Sequence, residues 1–235
     1  MTDKGIKAVL IDVGGPLVDD SGIDQVWNNT FLKVLPEYIG REVSPEELAE
    51  VYKKVITAYA PSIFSAAIWH FVRPDVRAFR ELRNVLDGLE FHRYYKFRPE
   101  AIEVCADLSE KFKLAIAANQ PESTRQYLNR EGLLKYFTFC EMSGETPYSK
   151  PDLRFFLYIS NKIGIPPEQC VMVGDRQDND IVPAKLLGMK TIRFKTGLHR
   201  NQEVRMPSEL PDKIINSLNE LPGAINALQI GADNI

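Results

Sequence analysis

The sequence predicts an α/β fold, with a doubly wound, Rossmann-like parallel sheet as its core and a helical domain inserted after the first strand. Two observations carry this prediction. Short apolar runs of strand length alternate with segments of helical periodicity, a pattern typical of parallel strands joined by right-handed crossovers. Between the first two runs, however, lies a segment of roughly 100 residues, which is far more than a crossover needs.

Five runs are predicted to be the buried strands of this sheet. A central parallel strand is covered by helices on both faces, so its sequence is continuously apolar instead of alternating. The runs are KAVLIDV (7–13), KLAIAAN (113–119), FTFCEM (137–142), CVMVG (170–174) and KTIRF (190–194). Between the later runs, Pro121 to Gly132 and Asp152 to Gly164 have helix start and stop signals.

The long segment after the first strand has an all-helical pattern. Residues 22–40 are amphipathic, Ser44-Pro45-Glu46-Glu47 is a capping-box sequence that opens a further helix, and Pro74 to Leu86 forms another. A crossover helix over Pro99 to Lys111 leads into the second strand. We therefore predict a core formed by residues 1–16 and 95–235, with a helical cap over residues 17–94.

Composition excludes several classes of protein. The chain has 44% hydrophobic and 26% charged residues and a net charge of −3, with Lys and Arg dispersed. A protein that binds nucleic acid or a membrane surface would show a basic stripe, so we expect neither partner. No apolar stretch approaches the length of a membrane span or of the apolar region of a signal peptide, so we expect a soluble protein.

The cysteines indicate a reducing compartment. Cys105, Cys140 and Cys170 are odd in number, widely spaced and outside any CxxC motif. This pattern argues against a disulfide framework and against a zinc site. We predict three small, buried apolar residues and a cytoplasmic protein.

Polar residues follow the predicted strands at the edge of the sheet where ligands bind in this fold class. Asp12 ends the first run, Asn119 the second and Asp175 the fourth. Lys150 lies just before one predicted helix, and Asp180 lies at the start of another. Because the carboxyl ends of parallel strands meet at one edge, we expect these side chains to converge.

Carboxylates beside a lysine point to a divalent cation and a phosphate. Hard oxygen ligands favour Mg²⁺ over a soft transition metal, and the cation would let crowded carboxylates stay ionised. Lys150 would neutralise charge that builds on a phosphoryl group. The alternative is that each aspartate only caps a helix, which is common for a single Asp between a strand and a helix.

These residues resemble the four motifs of the haloacid dehalogenase superfamily, and the helical insertion resembles the cap that this family places between its first and second motifs. The motifs match in order and spacing over residues 6–200. They are carried by Asp12, Asn119, Lys150 in SKPD, and Asp175 and Asp180 in VGDRQDND.

The resemblance implies an Mg²⁺-dependent phosphatase that acts on a small phosphorylated substrate. Asp12 would be the nucleophile that becomes phosphorylated, and water would then release phosphate. Lys150 would anchor the phosphate, and Asn119, Ala118 and Gly15 would complete the phosphate site. The metal ligands would be Asp12, the backbone carbonyl of Gly14, Asp175 and Asp180.

Two positions depart from the family pattern. The first motif usually has a second aspartate at the position of Gly14, which protonates the leaving group and later activates water. The second motif usually has Ser or Thr at Ala118, whose hydroxyl holds a phosphate oxygen. The lost carboxylate matters more, because general acid–base catalysis is typically worth about 10²–10⁴-fold in rate. We therefore expect atypical or restricted activity.

Candidates for the missing acid are Asp19, Asp20 and His70, although helix-entry caps and a packed histidine are their more ordinary roles. Two other functions stay open. A metal-independent 2-haloacid dehalogenase of the same superfamily also lacks the second aspartate, but that branch replaces the Gly-Asp that this chain keeps at Gly174-Asp175. A catalytically weak binding or scaffold protein would keep the fold and the cation.

Several other side chains have a structural interpretation and a functional one. Aromatic residues in the insertion could cover a substrate but more commonly pack together. Arginines at helical spacing could face an anionic substrate, although a solvated helix face is the more ordinary interpretation. A histidine in a late loop is expected to be exposed. The aromatic residues are Trp27, Phe31, Phe64, Trp69 and Phe71, the arginines are Arg73, Arg77, Arg80 and Arg83, and the histidine is His199.

Overall fold

The computed structural model describes residues 5–89 and 91–232. The chain forms two compact units. The core unit consists of the chain up to Asp19 and from Lys96 onward, and the helical unit consists of Asp20–Tyr95. The insertion predicted over residues 17–94 covers almost the same part of the chain as the helical unit. Its function as a cap stays a prediction.

The core unit is built on a six-stranded parallel sheet with β1 at its centre. The strands in chain order are β1 (Ala8–Ile11), β2 (Val18–Asp19), β3 (Lys96–Phe97), β4 (Lys113–Ile116), β5 (Phe137–Phe139), β6 (Cys170–Gly174), β7 (Lys190–Phe194) and β8 (Lys213–Ile215). The sheet has the order β5-β4-β1-β6-β7-β8, with all neighbouring strands parallel. The chain thus adds strands first on one side of β1 and then on the other, which confirms the doubly wound topology.

All five predicted strands are present, while three strands were not predicted. β2 and β3 have two residues each and pair antiparallel where the chain leaves and re-enters the core unit. β8 is an edge strand in which only Ile215 is buried, so it has no continuous apolar run. The prediction therefore missed strands too short or too exposed to give a periodic signal.

The helical unit has helices in all three segments where the sequence pattern predicts them, with residues 22–40 divided into two helices, and it has one further helix. Ser44 begins the third helix as predicted, because its Oγ accepts a hydrogen bond from the N–H of Glu47 at 3.2 Å. The carboxylate of Glu47 forms an ion pair with Arg41, in which Oε1 lies 2.7 Å from Nη2. The helices are α1 (Ser21–Val34), α2 (Pro36–Ile39), α3 (Pro45–Thr57), α4 (Ile63–Val72) and α5 (Val76–Asp87), and α4 was not predicted.

Aromatic side chains form the interior of the helical unit. Trp27 and Phe31 are almost completely buried. The Trp27 ring stacks on Phe64 with centroids 4.5 Å apart, and the Phe31 ring lies 5.9 Å from that of Phe71. Packing is therefore the favoured interpretation for these four residues. Trp69 differs from them, since it is 40% exposed.

Charged and polar residues of the insertion also favour their structural roles. On α5, Arg77 pairs with Glu81 and Arg83 with Asp87 at helical i,i+4 spacing, as expected for a solvated helix face. Two of the three candidates for the missing acid, Asp20 and His70, lie in the helical unit. His70 contacts the ring of Phe71 edge to face, and Asp20 occupies the N-cap position of α1 without a side-chain capping hydrogen bond.

Helices of the core unit pack on the sheet through apolar faces. The buried side chains of Phe155 and Phe156 form one cluster with Leu10 and Met172 of the central strands. The helix that carries these phenylalanines ends at Gly164, which has a left-handed φ of 68°. The helices are α6 (Ala101–Ser109), α7 (Glu122–Arg130), α8 (Leu153–Ile163), α9 (Val182–Leu186) and α10 (Leu221–Ala232).

The cysteines are all free, and the prediction that they are buried is correct for two of them. Cys105 and Cys170 lie in the core, whereas Cys140 is half-buried after β5, with its Sγ near the carbonyls of Leu134 and Phe137. Cys140 is less buried than predicted because β5 ends at Phe139, one residue earlier. Within the described residues, none of the helices has the length and apolar character needed to span a membrane.

Candidate active site at the carboxyl ends of the central strands

Asp12 lies at the point where the strand order of the sheet reverses. It directly follows β1, and its N–H donates to the carbonyl of Val173 in β6 at 2.9 Å, which extends the sheet pairing by one residue. Its side chain is mostly buried, with only 8% of the residue exposed. In open α/β sheets ligands bind at this position, beyond the carboxyl ends of the strands.

Lys150 lies between two carboxylates. Its Nζ is 3.0 Å from Oδ1 of Asp12 and 2.6 Å from Oδ1 of Asp180. The lysine is 4% exposed and Asp180 is fully buried. Burial lowers the pKa of Lys150, but the adjacent carboxylates of Asp12 and Asp180 outweigh that effect and leave the pKa raised. The lysine is therefore a fixed positive charge at neutral pH.

The segment after β6 supplies the other carboxylates. A π-helical turn, Gln177–Ile181, turns Asp180 back toward the strand, where its Oδ2 accepts a hydrogen bond from the N–H of Arg176 at 3.0 Å. The Asp180 carboxyl lies so close to the Cα of Gly174 that a Cβ on Gly174 would collide with it. Glycine is therefore favoured at position 174 on steric grounds, because the absence of a side chain leaves room for the carboxyl group of Asp180.

Asp12, Asp175 and Asp180 form the acidic cluster of the site. Each offers a carboxylate oxygen, and the three oxygens lie within 4.8 Å of one another. The pKa of Asp12 is raised to about 7, chiefly by burial; Lys150 lowers it, and the charges of Asp180 and Asp175 add to the increase. Burial likewise raises the pKa of Asp180. Three carboxylates beside one ammonium leave excess negative charge, so these residues fit a hard divalent cation.

The side chain of Asn119 contacts the backbone of Lys150, and its assignment to the phosphate site stays a prediction. Its Nδ2 donates to the backbone carbonyl of Lys150 at 2.7 Å, and its Oδ1 accepts from the backbone N–H of Lys150 at 2.8 Å. Both polar atoms of this amide are therefore engaged in holding the lysine loop. Ala118 is fully buried two residues after β4, and its carbonyl accepts from the N–H of Ser143.

Gly15 forms part of the turn after Asp12. Its N–H donates to the carbonyl of Val18 at 2.9 Å and closes the turn, and its assignment to the phosphate site stays a prediction. Gly15 has a φ of +84°, in the left-handed region that favours glycine. Gly14 is buried and forms a β-bridge with Val18. Its assignment as a carbonyl ligand stays a prediction.

The prediction for His199 was wrong. The residue is only 8% exposed, and its Nδ1 lies 3.6 Å from Oδ2 of Asp175, which is longer than a hydrogen bond. The guanidinium of Arg193 donates to the backbone carbonyl of His199 at 2.8 Å and keeps this loop against the sheet. Nothing in the local sequence GLHRNQ indicated this burial, because the partner lies six residues earlier, on β7.

Arg98 and Thr196 also contact the site and were not predicted. The Nε of Arg98 donates to the carbonyl of Gly15 at 2.6 Å, and its Nη2 donates to Oγ1 of Thr196 at 3.0 Å. A single arginine before Pro99 has no motif around it, so only the fold reveals that it reaches the turn after Asp12.

A family model for haloacid dehalogenase-like hydrolases matches residues 6–188, which include all four motif positions described above. The chain belongs to the haloacid dehalogenase-like hydrolases. It is 28% identical over 230 residues to glyceraldehyde 3-phosphate phosphatase from Methanopyrus kandleri, covering 95% of this chain and 98% of that relative.

Solved structures of this hydrolase family share the fold. A HAD phosphatase from Thermococcus onnurineus aligns with a TM-score of 0.64 and 24% identity, over 93% of this chain and 97% of that chain. A 2-haloacid dehalogenase from Pseudomonas syringae aligns with a TM-score of 0.57 and 22% identity, over 95% and 99% of the two chains. Since neighbours with both names share the fold, the fold alone does not separate the two chemistries.

Proposed function

We propose that this hydrolase is an Mg²⁺-dependent phosphatase that forms an aspartyl-phosphate on Asp12 and acts on a small phosphorylated metabolite. One observation carries the proposal: the carboxylate of Asp12 lies 3.0 Å from the Lys150 ammonium and within 4.8 Å of oxygens of Asp175 and Asp180. A nucleophile, a phosphate anchor and cation ligands are thus available at one place. The similarity to an archaeal glyceraldehyde 3-phosphate phosphatase over nearly the whole chain supports this class of substrate.

Asp12 has the central role in the proposed reaction. An oxygen of its carboxylate attacks phosphorus as the bond from phosphorus to the ester oxygen breaks, and the alkoxide or aryloxide that leaves takes a proton from water. Water then cleaves the acyl phosphate, which releases inorganic phosphate and restores the Asp12 carboxylate. Lys150 neutralises charge on the transferring group and keeps the carboxylate of Asp12 in place. Asn119 acts indirectly, because it holds the backbone of Lys150.

Asp12, Asp175, Asp180 and the carbonyl of Gly14 would hold the cation. When bound, Mg²⁺ supplies positive charge that lets the crowded carboxylates stay ionised and that reduces repulsion between Asp12 and an incoming phosphate. The acidic cluster without a cation is an unfavourable arrangement, which is a physical reason to expect divalent-ion dependence.

Restricted activity follows from Gly14. The residue has no side chain to protonate a leaving alkoxide, so substrates with a good leaving group should react fastest. In the same proposal the helical unit is the cap that selects the substrate and excludes water, as mobile lids commonly do. A cytoplasmic location also remains part of this proposal.

The test is a panel of phosphate esters assayed with Mg²⁺ and with a chelator, on the wild-type protein and on Asp12→Asn. We expect turnover of aryl phosphates and phosphorylated small metabolites that requires Mg²⁺ and is lost in Asp12→Asn. Asp107→Asn is a matched control, since Asp107 is exposed on α6 outside the acidic cluster. Equal rates with and without the chelator, or full activity of Asp12→Asn, would contradict the proposal.

A second candidate function is 2-haloacid dehalogenation, because the fold is also similar to that of the Pseudomonas syringae dehalogenase. The retained Asp175 in the acidic cluster argues against it, because a metal-free reaction has no need for three converging carboxylates. Chloride release from a 2-halo acid without Mg²⁺ would favour the dehalogenase. Tight binding of Mg²⁺ and beryllium fluoride by calorimetry, without turnover of any ester, would favour a binding protein.

A further inference from the structure

Arg98 connects three parts of the core unit at the acidic cluster. Its backbone N–H donates to the carbonyl of Leu17 at 3.1 Å, directly after β3. Its guanidinium donates through Nε to the carbonyl of Gly15 at 2.6 Å and through Nη2 to the hydroxyl of Thr196 at 3.0 Å. The Cζ atom of this guanidinium also lies 5.0 Å from the ring centroid of Phe194, the last residue of β7.

The turn that Arg98 holds lies against the acidic cluster. A Cβ built on Gly15 would approach Cγ2 of Thr196 to 2.9 Å and Cβ of Asp175 to 3.1 Å. The Gly15 backbone is thus in close contact with one of the three acids and with the residue that shares the Arg98 guanidinium. Asp12 lies three residues before Gly15, and Gly14 directly precedes Gly15.

We propose that Arg98 is a positioning residue that holds the turn after Asp12 against Asp175, and thereby sets the spacing of the oxygens that receive the cation and the phosphoryl group. The kinetic effects that this inference predicts rest on the proposed function, whereas the effects on Mg²⁺ binding can be measured without any turnover. Arg98 contacts neither the reacting atoms nor a carboxylate of the cluster among the contacts described above, so its effect is exerted through the backbone of the turn.

The chemistry of arginine explains why this residue suits the task. Its guanidinium is planar and presents donors in different directions, so one rigid group reaches the Gly15 carbonyl and the Thr196 hydroxyl together and still lies on an aromatic face. A lysine has a compact ammonium on a flexible stem, so it would hold these partners in a less fixed geometry and has no planar group to lie on the ring. Hydrogen bonds from a charged donor to a carbonyl are also stronger than neutral ones.

The experiment compares Arg98→Ala, Arg98→Lys and Thr196→Val with the wild-type protein. Arg130→Ala is the matched control, since Arg130 is an exposed arginine of the same unit. Mg²⁺ affinity is measured by calorimetry on the ester-free protein, and kcat and KM are measured separately with an aryl phosphate. Loss of groups that orient metal ligands typically weakens metal affinity about 10–100-fold. We expect such a loss in Arg98→Ala, a fall in kcat with little change in KM, and a smaller loss in Thr196→Val.

Two further measurements separate positioning from simple stabilisation. Added guanidinium ion should restore part of the kcat and Mg²⁺ affinity of Arg98→Ala, whereas a purely structural loss would not respond. Amide hydrogen exchange over residues 13–18 should be faster in Arg98→Ala and unchanged in Arg130→Ala. If Arg98→Ala does not fold, Thr196→Val and Arg98→Lys provide the same readouts.

The outcomes also distinguish this inference from the proposed function. Unchanged Mg²⁺ affinity and kcat in a folded Arg98→Ala would overturn the positioning role and leave the phosphatase proposal intact. A wild-type protein that binds Mg²⁺ but turns over no ester would contradict the phosphatase proposal, while weaker Mg²⁺ binding in Arg98→Ala would still support positioning. A wild-type protein that binds no Mg²⁺ would overturn both.

Discussion

The side chain of Asn119 makes two hydrogen bonds to the backbone of Lys150, one to its carbonyl at 2.7 Å and one from its N–H at 2.8 Å. These bonds connect the end of β4 to the loop that carries the lysine. Because Lys150 in turn contacts Asp12 and Asp180, the amide determines the position of a charge that it does not itself touch. Asn119 therefore contributes to the candidate site by holding the loop that carries Lys150.

Asn119→Ala should reduce kcat more than it changes KM. The substitution removes both bonds to Lys150, and two hydrogen bonds of ordinary strength correspond to about 1–3 kcal/mol of stability. Thermal unfolding and steady-state kinetics measure the two effects. Asn129→Ala, at an exposed position of α7, is the control and should change neither. A raised KM with an unchanged kcat would instead indicate that Asn119 contacts the substrate.

Lys150→Met should strongly destabilise the protein, because it leaves Asp12 and Asp180 without their buried counter-ion. Removing one partner of a buried ion pair typically costs about 3–5 kcal/mol. Adding Asp180→Asn to Lys150→Met should recover part of that loss, since one of the two uncompensated carboxylates is then neutral. Urea unfolding of both single variants and the double variant gives the coupling energy. Strict additivity would show that the pair is not coupled.

Gly174→Ala should lower the free energy of unfolding by about 3 kcal/mol, because the new methyl group would collide with the fully buried Asp180 carboxyl. The matched control is Gly223→Ala in α10, where a Cβ meets no atom within 4 Å and an alanine should add up to about 1 kcal/mol. Chemical unfolding compares the two. A stable Gly174→Ala protein would mean that Asp180 moves away at little cost.

The sequence was sufficient to predict the central strands and the residues that directly follow them. A buried strand such as β6 is continuously apolar, so its end at Gly174 and the acid that follows are visible without a structure. The edge strand β8 could not be predicted, because two of its three residues are exposed.

The partners of the site residues could not be predicted, for a related physical reason. Hydrogen bonds such as Asn119 to Lys150 and Arg98 to Gly15 join residues that are 31 and 83 positions apart. Local periodicity contains no information about such contacts, which arise only when the strands assemble. Chemical identity therefore indicated candidates for the site, whereas the assembled fold was needed to show which partners each of them contacts.

Asp175→Asn should stabilise the cation-free protein and remove its response to Mg²⁺. The substitution relieves repulsion within the acidic cluster, and relief of such functional strain commonly adds roughly 1 kcal/mol. Thermal unfolding with a chelator should show the gain, and added Mg²⁺ should raise the melting temperature of the wild-type protein but not that of Asp175→Asn. Asp107→Asn on the exposed face of α6 makes the same charge change outside the cluster. Equal Mg²⁺ responses in wild type and Asp175→Asn would contradict the proposed cation site.

Gly14→Asp should increase phosphatase activity, because it introduces a carboxyl group two residues after the proposed nucleophile Asp12. General acid–base catalysis typically contributes about 10²–10⁴-fold, which sets the upper limit of the gain. The increase should be largest for alkyl phosphates, whose leaving groups need a proton, and smallest for aryl phosphates with good leaving groups. The matched control is Gly14→Asn, which has nearly the same shape but cannot donate or accept a proton in this way. A gain in both variants would show that the side chain acts sterically, whereas a gain in Gly14→Asp alone, rising with the pKa of the leaving group, would show that proton transfer limits turnover.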